Sequence, residues 1–198
     1  LEKSERVFDF CLALAQQCFI NEYIYPVSNQ EVKEVEELEK VLEDLLEDGK
    51  QPKEIQVVCL ACYKPLHSYK WCSRLDLTSF INQLIDWQIS EPLREKNIGK
   101  NIKFLTGKED EVSFKVGKQY EENPYPRWVD MGLNFEQKGI RDIVTGADLF
   151  IYDQTIFENN APRILIAGCG TGQHAISRSQ VIKNCDVLAI DLSTASLA

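Results

Sequence analysis

The sequence predicts an α/β chain: a helical N-terminal region leading into the first β-α-β unit of a doubly wound parallel sheet. Three observations predict it. Apolar residues recur at helical spacing through the N-terminal half. A stiff aromatic segment, YEENPYPRW (120–128), then breaks that texture. After Ala161-Pro162 the pattern becomes strand, glycine turn, helix, strand, in RILIAGCGTGQHAISRSQVIKNCDVLAIDLS. The expected division is residues 1–110 helical, 111–161 connecting, and 162–198 the start of the sheet domain.

The elements follow in order. From Ser4 to about Tyr23, the residues Val7, Phe8, Cys11, Leu12, Ala15, Cys18 and Phe19 mark a helix face, and Pro26 ends it. Ser28 with Glu31 three residues on is a capping box, and Gly49 is a C-terminal stop. Between them Val32, Val35, Leu38, Val41, Leu42, Leu45 and Leu46 form one apolar face, with EVKEVEELEK supplying the wet side. Pro52 suits the first turn of a third helix, whose apolar face would be Ile55, Val58, Cys59 and Cys62. A fourth helix is expected over Leu77–Ile89 with Asp76 as its N-cap, and polar helices over residues 91–121. The two prolines of YEENPYPRW make residues 120–128 an expected extended, stiff segment, because each fixes its own φ and bars its predecessor from the helical region. IRDIVTGADLFI is a short amphipathic stretch.

Composition narrows the function. The net charge of -9 opposes binding to phosphate backbones and to anionic membrane surfaces. No apolar run approaches the roughly 20 residues of a membrane span. LEKSERVFDF has no signal-peptide layout. Seven scattered cysteines, mostly in apolar stretches, read as reduced thiols of a cytoplasmic protein.

Cys59, Cys62, His67 and Cys72 repeat the ligand spacing of a zinc knuckle. A knuckle needs a tight turn rich in glycine, whereas Leu60, Ala61, Tyr63 and Lys64 fill these positions and the flank is apolar rather than basic. The expectation is therefore no metal: two buried cysteines on a helix, a surface His67 and a half-buried Cys72.

The chemistry-bearing stretch is ILIAGCGTGQH. Ile164, Leu165 and Ile166 read as a parallel strand buried on both faces. Gly168, Gly170 and Gly172 make the turn into a helix expected to reach about Lys183, since a Cβ there would keep a ligand from the backbone. A second strand, DVLAID, ends at Asp191, 19 residues after Gly172. An acid at that place accepts hydrogen bonds from ribose hydroxyls. Glycine loop, helix and acid together predict a nucleoside site. A dinucleotide fingerprint has its third glycine one residue later than here.

GCGTG followed by AIDLS resembles the class I S-adenosylmethionine-dependent methyltransferases, and QYEENPYPRW upstream with DLSTASLA downstream resembles a bacterial subgroup often fused to tetratricopeptide repeats. The likeness is strongest from Val112 to Ala198. It implies a Rossmann-like domain of which this chain holds only the beginning, a methyltransferase activity in the parent protein with this piece inactive alone, and S-adenosylmethionine as cofactor. It implies that Gly168, Cys169, Gly170, Thr171 and Gly172 line the cofactor's amino-acid end, that Asp191 takes the ribose and that Leu192 packs by the adenine. Tyr120, Tyr125 and Arg127 would close over cofactor or substrate, or equally form a hook that packs the helical region onto the sheet. The family's acid two residues before the first glycine is here Ile166. The methyl acceptor is unassigned, no catalytic base stands out, and His174 reads as structural. Two other readings stay open: an NAD(P)-dependent oxidoreductase, and a non-catalytic acidic helical interaction module. With its sheet edges unpaired, the piece is expected to be poorly soluble or oligomeric alone.

Overall fold

In the computed structural model the structure describes residues 2–76, 81–104, 111–122, 124–128, 130–132, 136–148 and 150–198. The chain is mostly helical with a small two-stranded parallel sheet. It divides into two compact units, Leu1–Ile98 and Gly99–Ala198. No helix among the described residues is long and apolar enough to cross a membrane.

The first unit is built on α1 (Glu2–Ile20), α2 (Asn29–Glu47) and α3 (Glu54–Ala61). α1 stops before Pro26, because Glu22 and Tyr23 turn left-handed at φ 52° and 55°. Ser28 and Glu31 form the expected capping box: the Glu31 backbone N–H donates to Ser28 Oγ, and the Ser28 N–H donates to Glu31 Oε2. Gly49, at φ 71°, follows the C-cap Asp48. Val35, Leu42 and Leu46 are buried, but Val32 and Val41 at the edge of the expected face are exposed.

α3 departs from its expected single face. Val57, Val58, Leu60 and Ala61 are all buried while Ile55 is exposed, because the helix packs against both α1 and α2. Pro52 lies outside the helix: Lys53 is the N-cap, and its N–H donates to Gln56 Oε1 at 2.9 Å.

The expected fourth helix falls partly on residues 77–80, outside the described residues. Beyond them α4 (Asn82–Ile85) runs through a π-helical turn, Asp86–Ser90, into α5 (Glu91–Gly99). Pro92 explains the irregularity. It has no N–H to give the carbonyl four residues back, which belongs to Gln88. His67 Nδ1 lies 3.2 Å from that oxygen and acts as its donor. The Gln88 side chain, fully buried, reaches the middle of the unit. Its Nε2 donates to the carbonyls of Ala15 and Ala61, and its Oε1 accepts from Leu66 N and Tyr23 Oη.

The second unit holds α6 (Glu111–Glu122), α7 (Ile140–Gly146), β1 (Arg163–Ala167), α8 (Gln173–Val181), β2 (Asp186–Ile190) and α9 (Thr194–Leu197). β1 and β2 pair in parallel, with Ile166 opposite Ala189. One face of the pair is covered: Ile166, Cys169 and Ala175 form a small core, joined by Ile164, Val187, Ala189 and Leu197. The other face is open, with Leu165 and Leu188 opposite each other and each 62% exposed. This corrects the expectation of burial on both faces: the strands alternate inward and outward. α8 ends at Val181, two residues short of the expected Lys183. The chain there turns extended to pair with residue 138, as Lys138 N donates to Val181 O and Lys183 N to Lys138 O.

Replacing Gln88 by leucine would leave the buried Leu66 N–H without its acceptor, at about 1–3 kcal/mol, while the Ala15 and Ala61 carbonyls keep a helical donor and Tyr23 Oη respectively. Chemical denaturation of Gln88→Leu is expected to show a loss of about 1–3 kcal/mol.

Candidate functional site

The sequence-predicted site residues gather where β1 and β2 end. Gly168, Gly170 and Gly172 all have positive φ, at 68°, 53° and 84°. A side chain there would strain the backbone, which explains the glycine spacing. Above Gly168 a Cβ would meet nothing within 4 Å, so this part of the loop is an open cradle.

The loop's amides are largely used within the protein. Gly168 N and Cys169 N both donate to Ile190 O, at 2.8 and 3.1 Å, and Gly172 N donates to Cys169 O. Gly170 N donates to Asp191 Oδ2 at 2.7 Å, and Ser193 N donates to Oδ1 of the same carboxylate. Asp191 therefore stands at the strand end as expected, joined to the glycine loop. A carboxylate has about four acceptor positions, and these two bonds leave room for further donors.

Cys169 points its side chain into the small core rather than toward the open side. Burial, with the Asp191 charge adding to it, pushes its thiol up from the usual range. It is thus neutral at physiological pH, and its Sγ donates to the Gly170 carbonyl at 3.5 Å. Leu192 is exposed and packs by Gly117 of α6, where a Cβ would come within 3.5 Å of Leu192 Cβ. His174 is exposed on the first turn of α8.

Residues 120–122 of the expected extended segment are instead the end of α6, since a proline restrains only itself and the residue before it; the rest of the segment meets Thr171 through Pro126 and Trp128, which the sequence did not single out as site residues. Trp128 Nε1 donates to Thr171 O at 3.0 Å, and Thr171 Oγ1 donates to Pro126 O at 2.7 Å. The Tyr125–Pro126 peptide is cis. Tyr125 offers its backbone carbonyl, 3.8 Å from where a Gly170 Cβ would stand, while its ring and that of Tyr120 are exposed. Arg127 is half-buried.

Glu121, at the end of α6, holds the other loop. It accepts from Ser193 Oγ at 3.0 Å, Ala195 N at 3.1 Å and Thr194 Oγ1. Ser193 is fully buried, and its Oγ also accepts from Ser196 N. Trp128 carried a weak sequence signal, being the lone indole in a proline-rich segment. Glu121 carried none, since nothing separates it from the neighbouring surface acids.

The knuckle spacing does not assemble in the first unit. Cys62 Sγ donates to Cys11 O, His67 serves Gln88, and Cys72 packs in the core. Burial pushes the Cys62 thiol up to about 12 and raises Cys59 as well. His67 is half-buried and Cys72 is buried, correcting the expected surface and half-buried positions, and of the two cysteines expected buried Cys62 is but Cys59 is half-buried. His67 and Cys72 are drawn inward by packing, His67 edge-on to Phe19 and Cys72 within the main core. Among the described residues no three or more His, Cys, Asp or Glu are grouped so as to hold a metal ion.

Burial raises the Glu121 carboxyl, but the hydrogen bonds from Thr194, Ala195 and Ser193 outweigh it and hold it below its usual 4.5. Its folded value lies under its unfolded one. The stabilisation is therefore present above about pH 4.5 and is lost as pH falls through the depressed value. Thermal melts of Glu121→Gln are expected below wild type at about pH 6, with the difference closing toward about pH 3, below the usual carboxylate range. No family model matches the chain, no curated protein matches it, and no solved structure matches it.

Proposed function

We propose that the chain carries the cofactor-binding part of an S-adenosylmethionine-dependent methyltransferase on a Rossmann-like domain, acting on an acceptor yet to be named. The observation that carries this reading is the joining of a left-handed glycine loop to a strand-end carboxylate, Gly170 N to Asp191 Oδ2. Phosphates are bound where successive backbone amides point outward together. Here Gly168, Cys169, Gly170 and Gly172 already spend theirs inside the protein. Such a loop suits a ligand that lies across its Cα atoms without a pyrophosphate, which disfavours the dinucleotide reading.

In this reading the backbone from Gly168 to Gly172 passes under the amino-acid end of the cofactor. Asp191 uses its remaining acceptor capacity for the ribose hydroxyls, and Leu192 offers an exposed apolar side chain to the adenine. When bound, the sulfonium supplies a methyl group already activated for transfer. The protein's work is then to hold the donor in place and exclude competing geometry. The site supplies no assigned base, and the acceptor chemistry stays open.

Calorimetric titration with S-adenosylhomocysteine tests the proposal, with NAD as the comparison. Wild type is expected to bind the former in the micromolar range and not the latter. Asp191→Ala is expected to weaken binding by about 10- to 100-fold, the worth of hydrogen bonds to a charged group. Tight NAD binding would move the protein to the oxidoreductases. Binding of neither by a folded protein would favour the helical interaction module.

A further inference from the structure

Two side chains outside the glycine loop and outside the strand ends hold the two loops of the candidate site. Thr171 is bound to the 126–128 segment by two separate bonds. The indole N–H binds the Thr171 carbonyl, and the Thr171 hydroxyl binds the Pro126 carbonyl. Both bonds fix a peptide of the glycine loop, the part assigned above to the amino-acid end of the ligand. Glu121 takes the hydroxyls of Ser193 and Thr194 and the amide of Ala195. Those bonds fix the turn directly after Asp191 and Leu192, the part assigned to the nucleoside end. Gly117, one turn earlier on α6, leaves space for Leu192 to lie against that helix.

We propose that Trp128 and Glu121 are positioning residues that set the two ends of the cofactor site separately: Trp128 the amino-acid end through Thr171, and Glu121 the nucleoside end through Ser193. This rests on the methyltransferase reading. The physical reason for the separation is that the two sets of bonds share no atom and act on different loops. Loss of one therefore loosens one loop while Ile190 O still ties the base of the glycine loop to β2.

The test is titration of two probes into wild type and variants: S-adenosylhomocysteine, and 5′-methylthioadenosine, which keeps the nucleoside and lacks the amino-acid group. Trp128→Phe and Thr171→Val each remove one bond. Each is expected to weaken S-adenosylhomocysteine by about threefold to tenfold and to leave 5′-methylthioadenosine unchanged. Thr171→Ser keeps the hydroxyl and is expected to behave as wild type. Glu121→Gln is expected to weaken both probes by the same factor. Circular dichroism checks that each variant folds, and Thr171→Val carries the test if Trp128→Phe does not. Equal losses on both probes at Trp128 and Thr171, or no loss on either, would overturn the assignment, since general loosening does not choose between ligands. A wild type that binds S-adenosylhomocysteine but not 5′-methylthioadenosine would overturn it too, because the nucleoside end would then not stand alone. A wild type that binds neither probe would remove the methyltransferase reading itself, an outcome distinct from the others.

Discussion

The carbonyl of Ile190 accepts two amides, from Gly168 and Cys169, and the arrangement of the candidate site follows from that shared acceptor. For both amides to reach one oxygen at the end of β2, the chain leaving β1 must turn at once. A turn that tight puts Gly168 at φ 68° and carries Gly170 to φ 53° and Gly172 to φ 84°. Residues with a Cβ resist such angles. The same turn brings Gly170 N onto Asp191 Oδ2, so the carboxylate is oriented by the loop it borders. The loop's amides at Gly168, Cys169, Gly170 and Gly172 are thereby spent inside the protein rather than arranged as an anion cradle.

The first unit depends on a comparable economy at Gln88. A fully buried amide is tolerated only when its donors and acceptors are met. Here each side-chain atom serves two neighbours, binding α1, α3 and the turn at Leu66 into one body. Pro92 makes this arrangement consistent. By depriving the Gln88 carbonyl of its helical donor, it opens the π-helical turn and leaves that oxygen to His67. The histidine that seemed part of a metal spacing is thus a hydrogen-bond donor to backbone. Its cysteine neighbours are held as neutral thiols by burial.

Local chemistry was legible in advance where a few adjacent residues decide it. Ser28 and Glu31 lie three apart and cap α2 as their spacing requires. Gly168, Gly170 and Gly172 turn left-handed where the pattern placed them, and Asp191 directly follows β2, which ends one residue earlier than expected. Faces were less legible. The edges of the α2 stripe, Val32 and Val41, are exposed, and α3 is buried on more than one side because two helices flank it. Period alone cannot reveal a second neighbour. Leu165 likewise read as a buried strand residue, since an apolar run does not say how many layers cover it.

The sequence by itself determined part of the punctuation of this protein: the capping box and glycine stop of α2, where the glycine turn falls, and which acid follows the second strand. These depend on backbone angles and caps set within a few residues. Only the tertiary structure decided that Trp128 binds a peptide 43 positions away, that Glu121 holds Ser193 across 72 positions, and that Gln88 reaches Ala15 across 73. A tryptophan, a glutamate or a glutamine carries no mark of its partner, because such a bond is fixed by where distant segments come to rest rather than by the residues beside it.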